Sequence, residues 1–214
     1  MTNSNDKPKV VKRDPAVTKE RLLKAGLEDF GSKGYGGART EGIAKNAGCN
    51  IRMLYHYFGS KEGLYLACLD RVYSKIRASE RELNLRDLSP TDAITKLVEF
   101  TYDHMLNNKD FVQLAIVENT QRGRFLKKLG PLPNAASGLI ATIEEILSRG
   151  TAGGAFRPNV DAVQLYISIL SLSYLHLSNI HTLSVTYDQD LGDADWLSAR
   201  RTHVVDMVTA YLFK

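Results

Sequence analysis

The chain has 214 residues, which is enough for one large domain or for one small and one medium domain. An apolar fraction of 43% can build hydrophobic cores, and no apolar run reaches the roughly eighteen residues that a membrane-spanning helix requires. The polar stretch that begins the sequence lacks the apolar segment of a secretory signal, so we expect a cytoplasmic protein without membrane contacts. Cys49 and Cys68 form no CxxC pair, and we expect both to be small buried hydrophobic residues.

The positive charge is concentrated at the beginning of the chain. Residues 1–60 carry 11 Lys and Arg against 6 Asp and Glu, a net charge of +5, whereas residues 61–214 carry 17 against 18, a net charge of −1. This asymmetry indicates a polyanionic partner for the N-terminal part. A solvated basic tail is the alternative, because Lys7, Lys9 and Lys12 precede any ordered pattern.

The first quarter of the chain contains several short helical patterns. Residues 1–13 are typical of a flexible basic arm, and Asp14-Pro15 is a helix start with a capping Asp and a first-turn Pro. Helical spacing predicts four segments: one from residue 14 to the glycine-rich stretch 31–37, then 40–47, 50–58 and a long amphipathic helix after Gly59-Ser60.

The remaining chain is also helical in its periodicity. Further helices are predicted at about 90–105, 111–124, 135–149, 161–180 and 195–212. The segment 161–180 is apolar nearly all round, which indicates burial on several sides. Because no stretch alternates between apolar and polar residues with the period of two that is typical of β-strands, the predicted fold class is all-α. The predicted domains are an arm at 1–13, a DNA-binding domain at 14–60 and a larger helical domain at 61–214.

Residues 39–63 have the pattern of a helix-turn-helix. Thr40 is predicted to cap a helix whose inner face holds Ile43, Ala44 and Ala47. Gly48 follows where this helix must end in a left-handed residue, a conformation that glycine adopts without steric cost. The next helix begins within two residues, so the two helices cross steeply and the second can enter a major groove.

The second helix of this motif has an apolar side and an outward polar side. Arginine suits guanine, asparagine suits adenine, and a tyrosine hydroxyl suits phosphate. The inward residues are Ile51, Leu54 and Phe58. The outward residues are Asn50, Arg52, Met53, Tyr55 and His56.

The span from about 18 to 66 resembles the DNA-binding domain of the TetR/AcrR family of bacterial repressors. The resemblance is carried by Thr18, Leu22-Leu23, Phe30, Gly34-Tyr35, Thr40, Ile43-Ala44, Ala47-Gly48, Leu54-Tyr55, Tyr57-Phe58, Lys61-Glu62 and Leu64. It implies a three-helix head, a long fourth helix, a ligand domain, and a dimer built from the last two helices. Cys49 and Asn50 depart from the family's usual valine and serine.

The resemblance also implies roles for individual residues of the head. It implies that Thr40, Tyr55 and Lys61 contact DNA phosphates. It implies that Asn50, Arg52, Met53 and His56 are candidate base contacts. Arg39 also belongs to the predicted DNA-binding surface. A further resemblance, to one subset of the family, lies in the C-terminal part and rests on Glu118-Asn119, Gly123-Arg124, 154–157 and 178–184.

Two further sites are predicted in the larger domain. Tyr102, Glu118 and His176 stand on otherwise apolar helical faces, where each satisfies a partner inside the bundle or lines an effector pocket. A dimer interface is predicted along the last two helices. Its candidate residues are Tyr166, Leu170, Val204, Val208 and Tyr211.

The sequence therefore predicts a repressor that binds a roughly palindromic DNA operator as a homodimer and is released by a small-molecule effector. A DNA-binding protein that answers to a protein partner, or to none, is the second hypothesis. A helical enzyme is the third hypothesis, and against it no nucleophile–base pair or metal cluster can be assembled from the sequence. The five histidines lack the spacing of a metal site, so we expect no metal and no cofactor.

Overall fold

The computed structural model describes residues 14–130 and 132–213, and only the backbone of residues 132–137. The predicted basic arm at 1–13 lies outside the described residues. Over the described residues the chain is helical and has no β-strand, only an isolated bridge between Phe156 and Phe213. The predicted all-α fold class is confirmed.

Ten α-helices are present in the described part of the chain. They are α1 (Pro15–Gly37), α2 (Thr40–Asn46), α3 (Ile51–Phe58), α4 (Lys61–Glu82), α5 (Pro90–Asn107), α6 (Lys109–Thr120), α7 (Leu132–Ala152), α8 (Ala162–Ser178), α9 (Ile180–Tyr187) and α10 (Ala194–Leu212). Short 3₁₀ turns at Leu85–Asp87 and Leu126–Lys128 follow α4 and α6. The chain divides into two compact units between Cys68 and Leu69, within α4.

The first unit is held together by side chains from its four helices. Asp14 caps α1 by accepting a hydrogen bond from the Ala16 amide at 2.9 Å. Helix α1 passes through Gly31 and kinks at Gly34, whose φ of 70° is strained for residues with a Cβ. Phe30 and Tyr65 are fully buried and pack edge to face with ring centroids 4.8 Å apart. This core fixes α1 against the beginning of α4.

The second unit is organised around α5, which packs against α7, α8 and α10. Its core consists of aliphatic and aromatic side chains from these helices, including the fully buried Ile94, Leu97, Ile143 and Ile169. Burial of each such side chain contributes roughly 1.5–3 kcal/mol before conformational entropy is counted. Among the described residues no helix has both the length and the apolar character of a membrane span.

Two helix boundaries differ from the sequence-based predictions. Helix α6 ends at Thr120, because Arg122 and Gly123 adopt positive φ angles of 56° and 65°. The predicted helix at 161–180 ends at Ser178, with Asn179 as its cap, and a separate helix, α9, follows at Ile180–Tyr187. The Asn179 side chain donates to the Leu175 carbonyl at 3.1 Å, which satisfies the end of α8. Neither helix end interrupts the spacing of apolar residues, so the sequence pattern did not reveal these ends.

Candidate nucleic-acid interface

Helix α3 exposes one side and buries the other. Leu54 is fully buried beneath the helix, whereas Arg52 and His56 are exposed and Tyr55 is 46% exposed. Asn50 caps the helix, because its side-chain oxygen accepts a hydrogen bond from the Arg52 amide at 2.9 Å. The helix therefore presents a short row of hydrogen-bonding side chains on a rigid support.

Thr40 connects α2 to α3 instead of capping α2. The residue at the cap position is Arg39, which makes no side-chain capping bond, so the predicted capping role of Thr40 is wrong. Thr40 is the first helical residue and its hydroxyl is 3.2 Å from the Tyr55 hydroxyl. This contact holds the exposed tyrosine at the start of α2, where two hydroxyl groups are adjacent.

The turn between α2 and α3 depends on Gly48. Its φ is 60°, and the Cys49 amide donates to the Ala44 carbonyl at 2.9 Å, which satisfies the end of α2. A Cβ at this position would meet the guanidinium of Arg21, so Arg21 of α1 lies over the turn. The predicted left-handed conformation of Gly48 is confirmed.

Lys61 lies at the beginning of α4, and its charge interacts with that of Arg39. The Lys61 ammonium lies 4.7 Å from the centre of the Tyr35 ring. Partial burial, followed by the charge of Arg39, lowers the pKa of Lys61 from its ordinary value. An anion placed beside Lys61 and Arg39 would relieve their repulsion. This pair has the chemistry of a phosphate contact.

Sequence reasoning missed three residues beside this surface. Lys19 and Arg21 of α1 are exposed, and the Lys19 ammonium lies 6.0 Å from the centre of the Phe58 ring. Tyr35 supports Lys61, as described above. The sequence shows only that Lys19 and Arg21 are basic residues of a predicted helix. Their proximity to α2 and α3 results from packing. Met53, predicted as a base contact, is half-buried.

The predicted effector residues all lie inside the second unit. Tyr102 is fully buried and its hydroxyl donates to the Leu197 carbonyl at 2.8 Å, so its proton is engaged within the bundle. Its ring stacks on His176, with centroids 5.4 Å apart. Glu118 is 3% exposed; one carboxylate oxygen accepts from the Leu126 amide at 2.9 Å and the other has no hydrogen-bond partner in the described structure.

Three of the five predicted dimer residues pack or form hydrogen bonds inside their own subunit. Val204 and Val208 are 0% and 3% exposed and belong to the core. The Tyr166 hydroxyl is buried and donates to the Glu80 carboxylate at 2.8 Å. Their assignment to a dimer interface is wrong, because the subunit's own helices cover these side chains. Leu170 is half-buried against the core.

A different apolar surface is exposed on the same two helices. Tyr211 is 49% exposed on α10, with the Arg157 guanidinium 4.6 Å from the centre of its ring. The other exposed apolar residues of α8 and α10 are Val163, Ile167, Leu175 and Met207, each about half exposed. We call these five residues the apolar surface. In the part of the chain that the structure describes, no group of three or more His, Cys, Asp or Glu could hold a metal ion.

These features define a helix-turn-helix DNA-binding protein with a separate helical domain. Comparison with known proteins identifies the class. The family of bacterial regulatory proteins known as the tetR family matches residues 22–68, and the tetracyclin repressor-like C-terminal domain matches residues 90–208. The chain belongs to the TetR family of DNA-binding transcriptional regulators, as the sequence resemblance predicted.

Individual relatives agree with this classification. The HTH-type transcriptional repressor NicS of Pseudomonas putida is 35% identical over 185 residues, which cover 85% of this chain and 87% of NicS. The ketosteroid transcriptional regulator KstR2 of Mycobacterium tuberculosis has the same fold, with a TM-score of 0.71 and 17% identity over 92% of this chain and 95% of KstR2. A TetR regulator from Chloroflexus aurantiacus also shares the fold, with a TM-score of 0.66 and 21% identity over 93% of this chain and 98% of its own.

Proposed function

We propose that this protein is a transcriptional repressor that binds a roughly palindromic operator as a homodimer and leaves it when a small molecule binds. The observation that carries the proposal is the exposed side of α3, where Arg52 and His56 stand beside Tyr55. Arginine and histidine on a helix held by a tight turn are suited to base edges in the major groove. The relative NicS is named a repressor, which favours repression over activation.

Phosphate contacts would fix this helix in register. Lys61 and Arg39 supply adjacent positive charges, and the hydroxyls of Thr40 and Tyr55 supply neutral donors. Contacts to phosphate oxygens orient a protein on the duplex, while contacts to base edges determine the sequence preference. We therefore assign Arg52, His56 and Asn50 to base recognition, and Lys61, Arg39, Thr40 and Tyr55 to the backbone. Met53 would contribute an apolar contact from its half-buried position.

The homodimer would form through the apolar surface of α8 and α10. TetR family regulators bind DNA operators and form dimers. Five half-exposed apolar side chains on two packed helices are unusual for a soluble monomer, and a two-fold axis would bury both copies at once. The same axis provides the symmetry that a palindromic operator requires. We propose that the protein acts in the cytoplasm.

Effector release would act through α4. This helix begins at Lys61, beside the DNA-binding residues, and carries Arg77 and Glu80 in the second unit. A ligand that prefers one arrangement of the second unit can change DNA affinity only by as much as its affinity differs between the two arrangements. A repressor that answers to a protein partner remains the second candidate function, because the interior of the bundle is well filled.

Selection of binding sites from random duplex DNA with the purified full-length protein tests this proposal. We expect enrichment of a two-fold symmetric sequence with half-sites about one helical turn apart. Binding to that sequence should weaken steeply with salt, because each neutralised phosphate contributes about 0.9 to the slope of log K against log salt. Enrichment of no sequence, together with an affinity that is flat between low and moderate salt, would contradict the proposal.

A further inference from the structure

Helix α1 carries one exposed cation at each end of α3. The Arg21 guanidinium lies over the turn that precedes α3, where a Cβ on Gly48 would meet it. The Lys19 ammonium lies at the other end, 6.0 Å from the centre of the ring of Phe58, the last residue of α3. Both residues are exposed, and neither makes a side-chain hydrogen bond or ion pair with another described residue. Both charges are therefore available to a partner.

The two side chains leave α1 on opposite sides because of their spacing. Successive residues of an α-helix are turned by about 100°, so Lys19 and Arg21 are turned by about 200° from each other. Helix α1 packs against α3, whose exposed side carries Arg52 and His56. Helix α1 consequently lies behind α3, on the side turned away from these two residues, and extends one cation toward each end of it.

The dimensions of α3 match those of a major groove. Its eight residues extend about 12 Å, and a major groove is about 12 Å wide and about 8.5 Å deep. Packed helices lie about 8–10 Å apart, so a helix behind α3 stands about level with the phosphates when α3 occupies the groove. The two phosphate backbones border the groove on either side. A cation at each end of α3 is thus placed to reach one backbone.

Both side chains have the chemistry of a phosphate contact. A guanidinium offers a planar fork of N–H donors that phosphate oxygens accept in pairs, and an ammonium offers a compact point charge. Lys19 and Arg21 also contribute to the positive charge that distinguishes residues 1–60 from the rest of the chain. Their charges match a polyanion rather than a neutral partner.

We propose that Arg21 and Lys19 contact the two phosphate backbones that border the groove, so that α1 straddles the groove while α3 contacts base edges. Arg21 binds the backbone at the beginning of α3, and Lys19 binds the opposite backbone at its end. Gly48 permits this arrangement, because a side chain there would meet the Arg21 guanidinium. The inference rests on the proposed function, because it adds α1 to the DNA contacts that we assign there to the other helices of the head.

Substitution by methionine tests the two charges, because it keeps an unbranched side chain and removes the cation. Titrations of the full-length protein against operator and random duplex across a salt series provide the measurement. We expect Arg21→Met and Lys19→Met each to weaken both duplexes alike and to lower the slope of log K against log salt by about 0.9. Arg21→Lys keeps the charge and should keep the slope. Arg86→Met removes an exposed arginine of the second unit and is the matched control, with an unchanged slope.

Operator duplexes that carry one uncharged methylphosphonate at a time locate the contacts. We expect wild-type binding to be weakened by substitutions on both strands of each half-site. Arg21→Met should become insensitive at a phosphate of one strand, and Lys19→Met at a phosphate of the other strand. Insensitivity of both variants on the same strand, or retention of every wild-type sensitivity, would overturn the inference.

Thermal unfolding separates a phosphate contact from support of the turn. If Arg21 only holds the turn before α3, Arg21→Met should lower the thermal midpoint and weaken operator binding without changing the salt slope. That result would overturn its assignment to phosphate. A wild-type protein that selects no operator contradicts the proposed function. A wild-type protein that binds its operator with a salt slope that both methionine variants share contradicts only the role of α1.

Discussion

Asn50 and Thr40 each have a structural role at the candidate DNA surface. Asn50 caps α3 through its side-chain oxygen, and Thr40 positions the Tyr55 hydroxyl. Substitutions at these residues would therefore alter the head as well as any DNA contact. Arg52 and Lys61 are better suited to a functional test, because neither makes a side-chain hydrogen bond or ion pair within the described structure. Arg52 is exposed on α3, and Lys61 lies over a tyrosine ring.

Arg52→Ala and Lys61→Ala should weaken DNA binding in different ways. Loss of a base contact at Arg52 should cost roughly 1–3 kcal/mol on the selected operator and relax its sequence preference. Loss of a phosphate contact at Lys61 should weaken all duplexes alike and reduce the salt slope by about one. Titration of both variants against operator and random duplex across a salt series measures the difference. An even loss across both duplexes for Arg52→Ala would refute its role in base recognition.

Helices α5 and α8 each bury a histidine in the second unit. His104 and His176 are 6% and 4% exposed. Burial is the main cause that lowers the pKa of each imidazole to about 4, and the charges of Arg77 at His104 and of Arg200 at His176 add to it. Both helices thus tolerate histidine only in its neutral form. We therefore expect the packing of α5 against α8 to be sensitive to acid.

The second unit should lose stability between pH 6.5 and pH 4. The unfolded chain binds protons at these histidines near pH 6.5, whereas the folded chain binds them only near pH 4. The unfolded state is therefore favoured as the pH falls through this window, by on the order of 3 kcal/mol for each imidazole. Above pH 6.5 the stabilisation is fully present. Urea unfolding at a series of pH values measures this change.

His176→Phe isolates one half of this effect. Phenylalanine keeps a ring against Tyr102 and cannot bind a proton, so the free energy of unfolding should fall less steeply with acid. His181→Gln changes an exposed histidine on α9 and should leave the slope as in wild type. Parallel pH profiles for wild type and His176→Phe would show that His176 does not cause the acid sensitivity.

The apolar surface lies on α8 and α10, and these two helices also supply much of the core. Val204 and Val208 point into the subunit, whereas Met207 and Tyr211 on the same helix are about half exposed. One side of α10 is therefore buried in the subunit, and another side remains exposed where we propose that the dimer forms. This division allows folding and dimerisation to be tested separately by substitution.

Ile167→Asp should give a folded monomer, and Val208→Asp should destabilise the subunit. A charge on the 51% exposed Ile167 disrupts only the proposed dimer, whereas a charge at the buried Val208 has no solvent or partner. Sedimentation at micromolar concentration and thermal unfolding together distinguish these outcomes. Ile116→Asp, on the partly exposed α6 position, is the matched control and should stay dimeric. A wild-type monomer that binds the full operator tightly would disprove the interface.

The sequence by itself determined the all-α class, the helix-turn-helix and its glycine turn, because these depend on local periodicity, capping and the conformational freedom of Gly48. Helical spacing also predicted the buried Leu54 and the exposed Arg52 and His56 of α3, whereas Met53, predicted to face outward, is half-buried. The prediction that Thr40 caps α2 was wrong, because its hydroxyl contacts the hydroxyl of Tyr55, which lies fifteen positions away along the chain.

Only the tertiary structure decided which apolar positions fold the subunit and which remain exposed. On α10 both the row containing Val204 and Val208 and the row containing Met207 and Tyr211 have helical spacing, so periodicity cannot choose between them. The choice depends on where α5 and α8 pack. His104 of α5 likewise packs against Phe111 of α6, with ring centres 5.9 Å apart, and the sequence did not single out His104. Proximity between distant segments arises from packing, which no local pattern encodes.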